Sequence, residues 1–223
     1  MRRDICVVFD IDDTLYLERD YVRSGFEAAG RWASHWLKID DFAERCWNRF
    51  SAGARGSIFN LVLTETCGRA NPELVSALIE IYRTHTPAIV LADDARESLA
   101  ALSSLASIAV ISDGPVASQS QKADVLDLHR FAAPVILTDM LGSGFRKPHP
   151  LAFRHVEQSH LAKIYFYVAD NPLQDFTAPK QLGWTTVRVR RPCGLHYAAE
   201  NPEVLPDYEM AECSGLFELV GRF

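Results

Sequence analysis

The sequence predicts an α/β protein, a doubly wound parallel sheet of five strands with an α-helical domain inserted into it. Three observations lead there. Short β-rich apolar runs recur at residues 5–9, 108–111, 134–137, 164–168 and 185–189, and helical patterns separate most of them. Such alternation gives a parallel sheet with helices on both faces. The gap between the first two runs is much the longest and has helical patterns of its own. Finally, 223 residues, 48% of them hydrophobic, are enough for a large core plus a smaller insert.

In chain order, the first run, Ile5-Cys6-Val7-Val8-Phe9, stops at Asp10-Ile11-Asp12-Asp13-Thr14, a buried strand meeting a charged rim. In the gap, Val22, Phe26, Ala29, Ala33 and Trp36 recur at helical spacing. So do Phe42, Cys46 and Phe50, then Ile58, Leu61 and Val62, then Val75, Leu78, Ile79 and Tyr82. Asn71-Pro72 opens the last of these as an N-cap followed by proline. These four helices define a cap domain over 16–86, with Thr86-Pro87 marking the return and the core formed by 1–15 and 87–223. Trp32, Trp36 and Trp47 are expected in the cap's core.

Further on, 94–105, 115–128 and 149–160 read as helices between strands. Asn171-Pro172 reads as a second cap-then-proline start, with Pro179 interrupting that helix and Gly183 ending it. Arg188-Val189-Arg190-Arg191 alternates as a strand does, its basic face expected in solvent, the alternative being an edge that contributes to substrate electrostatics, and the tail from about residue 192 has only a weak pattern.

Composition excludes several classes. A net charge of −6 argues against non-specific nucleic-acid binding. Five cysteines, an odd number with no CxxC pair, read as free thiols in a reducing compartment. Only five apolar residues precede Asp10, too few for a signal peptide's apolar region, and no stretch approaches the roughly 20 apolar residues of a membrane span. A cytoplasmic protein with no membrane partner is expected.

The chemistry-bearing residues stand at strand ends: Asp10 and Asp12 after the first strand, Ser112 and Asp113 after the second, Lys147 after the third, Asp170 after the fourth with Asp175 nearby. In a parallel sheet all strand C-termini share one edge, so these groups converge. Taken singly each has an ordinary reading: an acidic turn, a turn serine, a surface lysine, a helix cap. Together, oxygen ligands in an open arrangement suit Mg²⁺, and an ammonium and a hydroxyl suit the outer oxygens of a phosphate.

At these residues the chain resembles the haloacid dehalogenase (HAD) superfamily of phosphohydrolases. Its DxDx[TV] start is matched by Asp10, Asp12 and Thr14, its Ser/Thr by Ser112, its Lys by Lys147 and its acidic pair by Asp170 and Asp175. The insert after the first strand looks like that superfamily's type-one helical cap, and Gln119 and Lys122 match a pattern common in capped members. The resemblance implies a Rossmann-like core and a Mg²⁺-dependent phosphatase. Asp10 would be the nucleophile that forms an aspartyl-phosphate. Asp12 would be the general acid/base, its pKa pushed up beside another carboxylate and the substrate's phosphate. It further implies Mg²⁺ on Asp10, the Asp12 backbone carbonyl and Asp170, support from Asp175, and a phosphoryl group held by Ser112, Asp113 and Lys147. Asp13 and Ala169 stand where other residues are frequent, and Pro179 where many members have an ordinary helical residue.

In the cap, Arg55 on a Gly-rich loop and Arg23 are candidates for choosing an anionic substrate, beside the commoner reading of solvated surface. The leading expectation is hydrolysis of a small phosphate ester, with the cap excluding large substrates. The alternatives are a phosphomutase, a dehalogenase on the same fold, and a receiver-like phospho-accepting signalling or binding protein. Asp12 argues against dehalogenation, because a departing halide needs no proton.

Overall fold

The computed structural model describes residues 4–142 and 144–223. It divides into two compact units, one formed by the residues up to Glu18 together with Ile89–Phe223, the other by Arg19–Ala88. In the first unit six strands form a parallel sheet: β1 (Ile5–Phe9), β2 (Ser107–Ser112), β3 (Val135–Leu137), β4 (Ile164–Ala169), β5 (Thr185–Val189) and β6 (Tyr208–Met210), in the order β3-β2-β1-β4-β5-β6. The five expected strands are therefore joined by a sixth. β6 has only three residues, mostly exposed, and its pairing with β5 rather than any alternation makes it a strand. Asp207 anchors it, accepting hydrogen bonds from the backbone N–H (2.8 Å) and hydroxyl (2.7 Å) of Thr186.

Strand order reverses at β1, which pairs with β2 on one side and β4 on the other. The crevice at that switch point lies beyond the strand C-termini, where sheets of this kind bind ligands. β1 is apolar along its whole length because both of its faces are covered. Cys6 and Val8 pack with Ala109, Ile111, Phe153, Tyr167, Phe176 and Trp184.

Helices α5 (Asp93–Leu105), α6 (Val116–Val125) and α7 (Leu151–Ser159) lie where helical patterns were read. Asn171-Pro172 does not open a helix. The Asn171 side chain instead accepts from the Leu173 N–H (3.0 Å) in a local turn, and α8 begins only at Thr177. Pro179 falls in the first turn of α8, where its missing N–H has no intrahelical partner to lose. Gly183, at φ 77°, follows the helix.

Arg188, the basic residue of β5, is not solvated. Arg188 is 1% exposed, and its guanidinium donates to the carbonyls of Asp170 (3.2 Å), His196 (2.9 Å) and Ala199 (2.8 Å). Just past the strand, Arg191 donates to the Thr14 carbonyl (2.9 Å) and makes a two-pronged contact with Asp94 (2.9 and 2.7 Å). The expectation of an exposed basic face failed because β6 and the tail cover β5. Removing one partner of a buried pair leaves the other charge uncompensated. Arg191→Ala is therefore expected to cost about 3 kcal/mol, a fall in Tm of roughly 6–12 °C. A melting temperature within about 2 °C of wild type would remove Arg191 from the structural core. Burial pushes the Asp94 carboxyl up, but Arg191 and the Cys213 N–H outweigh it and hold the carboxyl below its ordinary 3.8. Its stabilisation is therefore present above that value and lost as the pH falls through the depressed one, and the variant lacks this acid limb.

The second unit consists of α1 (Glu18–Leu37, from its second residue), α2 (Phe42–Ser51), α3 (Ile58–Cys67) and α4 (Pro72–Thr84). Asn71 caps α4, its side chain accepting from the Glu73 N–H at 2.8 Å with Pro72 at N1. The core is built on Phe26, Phe42, Phe50 and Phe59, with Phe26 edge-on to Phe50 and Phe59 at 6.2 and 5.9 Å. The tryptophans are not its centre. Trp36 is 66% exposed because the last turn of α1 buries nothing, and Trp32 and Trp47 are half-buried.

Candidate active site

Each strand end delivers its group to the same edge. Lys147, on the loop after β3, lies buried between Asp10 Oδ1 (2.6 Å) and Asp175 Oδ1 (2.8 Å), with the Tyr167 hydroxyl at 3.2 Å. Asp12 takes both of its oxygens to Lys122 Nζ (2.6 and 2.8 Å) and accepts from Gln119 Nε2 (3.1 Å) and the Tyr16 hydroxyl. The Ser112 hydroxyl donates to Gln119 Oε1 at 2.9 Å, so one glutamine on α6 bridges the ends of β1 and β2. Asp175 also accepts from the Asn171 N–H (3.0 Å), which closes the loop bearing Asp170.

Asp113 reaches this edge in a different capacity. Its carboxylate accepts from the Thr138 hydroxyl (2.6 Å) and the Lys147 backbone N–H (3.0 Å). A carboxylate has no donor to offer an anion, so this side chain anchors the Lys147 loop rather than holding phosphate. Asp13 has φ 50°, a left-handed conformation that aspartate tolerates. Its oxygens accept from the Glu18 N–H (2.8 Å) and the Leu195 N–H (2.6 Å).

Arg55 and Arg23 lie in the helical unit and have partners there. Arg55 donates to the carbonyls of Phe50 (2.9 Å) and Ala54 (2.7 Å) and lies over the Phe50 ring. Arg23 pairs with Glu27 at 3.5 Å and lies over Trp47.

The electrostatics follow from crowding. Burial pushes the Asp10 carboxyl well up; Lys147 opposes this, but Asp175, Asp170 and Asp12 add to it. Burial also moves Asp170 up to about 6 and Glu18 up to about 8. Burial would lower Lys147, but the neighbouring Asp10 and Asp175 outweigh it and hold the ammonium well above its usual range. Asp12 differs from Asp10. Burial raises it, but the contact with Lys122 and the bonds from Lys122, Tyr16 and Gln119 prevail, and its pKa is lowered.

Lys122 is thus committed to Asp12, Lys147 is shared between Asp10 and Asp175, and Asp10 and Asp170 keep raised pKa values despite Lys147 and His196. Buried oxygen donors with surplus negative charge fit a hard divalent cation. Among the described residues, Asp13, Asp170 and His196 also bring one possible ligand atom each within 4.8 Å of one another. Nothing in the sequence spacing of His196 and Tyr167 marks them as site residues.

Comparison with known proteins identifies the family. The family model described as haloacid dehalogenase-like hydrolase matches residues 6–183. Glyceraldehyde 3-phosphate phosphatases of Methanocaldococcus jannaschii and Methanopyrus kandleri are 27% and 25% identical to the chain, each over 96% of both sequences. Among solved structures, the Bacillus subtilis HAD-hydrolase YfnB bound to magnesium superposes with a TM-score of 0.68 at 18% identity, covering 98% of this chain and 99% of that one. The L-2-haloacid dehalogenase of Xanthobacter autotrophicus gives 0.62 at 20% identity, covering both chains fully (100%). With the family model spanning most of its length, this chain belongs to the haloacid dehalogenase-like hydrolases.

Proposed function

We propose that this protein is a Mg²⁺-dependent phosphomonoester hydrolase of a small phosphorylated metabolite, working through an aspartyl-phosphate. The observation that carries this reading is the division of the two ammonium groups, one on Asp10 and Asp175 and the other on Asp12. It gives two neighbouring carboxylates different surroundings and therefore different work.

In this reading Asp10 attacks phosphorus. A bond forms from its carboxylate oxygen as the ester P–O bond breaks, which splits one difficult displacement into two. Lys147 and Ser112 hold the transferring group and meet the charge on its equatorial oxygens. Asp12 protonates the leaving oxygen, then takes a proton from the water that attacks the aspartyl-phosphate and releases inorganic phosphate and free Asp10. Since Asp12 rests with a lowered pKa, the proton it donates is taken up as the anionic substrate arrives and pushes that value back up. Asp10, Asp170 and the Asp12 carbonyl would hold Mg²⁺, with Asp175 steadying the Asp170 loop; when bound, the ion offsets the repulsion between anionic nucleophile and anionic ester.

A halide leaves without a proton, so dehalogenation would leave the Lys122–Gln119–Tyr16 setting of Asp12 without work. The phosphatases of the two methanogens direct attention to three-carbon phosphates such as glyceraldehyde 3-phosphate. The purified protein is expected to release phosphate from at least one small phosphomonoester, with activity lost on chelation and restored by Mg²⁺. A panel that includes glyceraldehyde 3-phosphate, run with wild type beside Arg55→Ala, also tests whether the cap arginine chooses the substrate. No metal-dependent release from any panel member would sink the proposal.

A further inference from the structure

The segment after β5 is built against the acidic edge. The His196 and Ala199 carbonyls accept from the buried Arg188, and the Tyr197 carbonyl accepts from Arg190 at 2.7 Å. Its turn comes so close that a Cβ on Gly194 would sit 3.1 Å from the Arg191 carbonyl and 3.5 Å from the Asp13 carboxyl carbon. The Leu195 N–H then fixes Asp13, and Arg188 holds the Asp170 carbonyl from beneath at 3.2 Å. So anchored, the segment aims one ring at the site, with His196 Nδ1 3.0 Å from Asp170 Oδ2. A carboxylate only accepts, so Nδ1 carries the proton and donates.

We propose that His196 is a positioning residue of the divalent-ion site, holding Oδ2 of Asp170 by a hydrogen bond so that Oδ1 is presented to the cation. Partners of this kind fix the orientation of a ligating carboxylate, and their loss typically weakens metal affinity about 10- to 100-fold. The proposal rests on the reading of Asp170 as an ion ligand. It adds a contribution from a part of the chain outside the four strand-end motifs.

Mn²⁺ provides a direct readout, since the free ion is counted by electron paramagnetic resonance without any turnover. His196→Ala is expected to raise the Mn²⁺ Kd roughly 10- to 100-fold. His196→Asn, whose amide N–H lies close to the position of Nδ1–H, is expected to return it to within about three-fold of wild type. A purely structural role would not be rescued by asparagine, and metal-free melting curves of both variants check that they fold. Wild-type affinity in the alanine variant, or equal weakness in both, overturns the inference. So does imidazole nitrogen coupling to bound Mn²⁺, which would make His196 a ligand. Mn²⁺ binding that depends on His196 without hydrolysis of any ester defeats the proposed function alone. Hydrolysis with binding indifferent to His196 defeats this inference alone, and a wild type that binds no Mn²⁺ ends both.

Discussion

Asp10→Asn is expected to abolish phosphate release while leaving the protein folded and more resistant to heat. The amide is nearly the same shape but is no nucleophile, so kcat/KM should fall by about 10⁴-fold or more. The stability half follows from the raised pKa of Asp10, caused first by burial and then by the surrounding carboxylates. The folded state holds that proton more tightly than the unfolded chain does. Ionising Asp10 therefore costs folding free energy as the pH rises from the ordinary 3.8 towards neutrality. Asparagine never ionises, so the metal-free variant should melt above metal-free wild type near neutral pH and converge with it in acid. Single-turnover phosphate assays and melting curves across pH check both halves. Retained turnover would remove Asp10 as nucleophile, and a lower melting temperature would contradict the electrostatic account.

The second large effect is expected at Lys147, where chemistry and stability fall together. Lys147→Met keeps the unbranched stem of the side chain but takes the ammonium from between Asp10 and Asp175. Two buried carboxylates then face each other with no offset. Loss of one partner from such a cluster costs about 3 kcal/mol, roughly a 6–12 °C fall in Tm for a chain of this size. Activity should also drop about 10²- to 10³-fold, as when a preorganised donor to a transition-state oxyanion is lost. With an ester as substrate, the loss is expected mainly in kcat, because in the proposed mechanism the ammonium meets charge that develops in the transition state. A variant as stable as wild type would mean that the acids find another cation. An unchanged kcat would move Lys147 out of the phosphate site.

The contrast between these two positions bears on what the site is for. One carboxylate is held where folding would be easier without its charge, and the lysine beside it offsets only part of the repulsion. Such imbalance is common where the missing charge arrives with a ligand. The Asp12 cluster differs. Its own lysine, glutamine and tyrosine settle it before any ligand comes. That arrangement suits a group that must both give and take a proton in one cycle.

The sequence by itself determined the strand–helix alternation, because periodicity and apolar runs are local properties. The residues of β1 and β5 were read as observed, and the helices between the strands agreed to within a few positions at most of their ends. It also determined which strand ends carry acid, hydroxyl and amine, since a parallel sheet gathers its C-termini whatever the details of packing. Only the tertiary structure decided the rest. β6 is three residues long and exists through pairing. The arginines from 188 on look like a solvated face in the sequence, yet Arg188 is buried under the tail and Arg191 against Thr14 and Asp94. Asp113 became an anchor, Asp12 acquired a lowered pKa, and His196 arrived beside Asp170. Each of these depends on which distant group comes within about 3 Å, and contacts between residues far apart in the chain leave no period or spacing behind to be read.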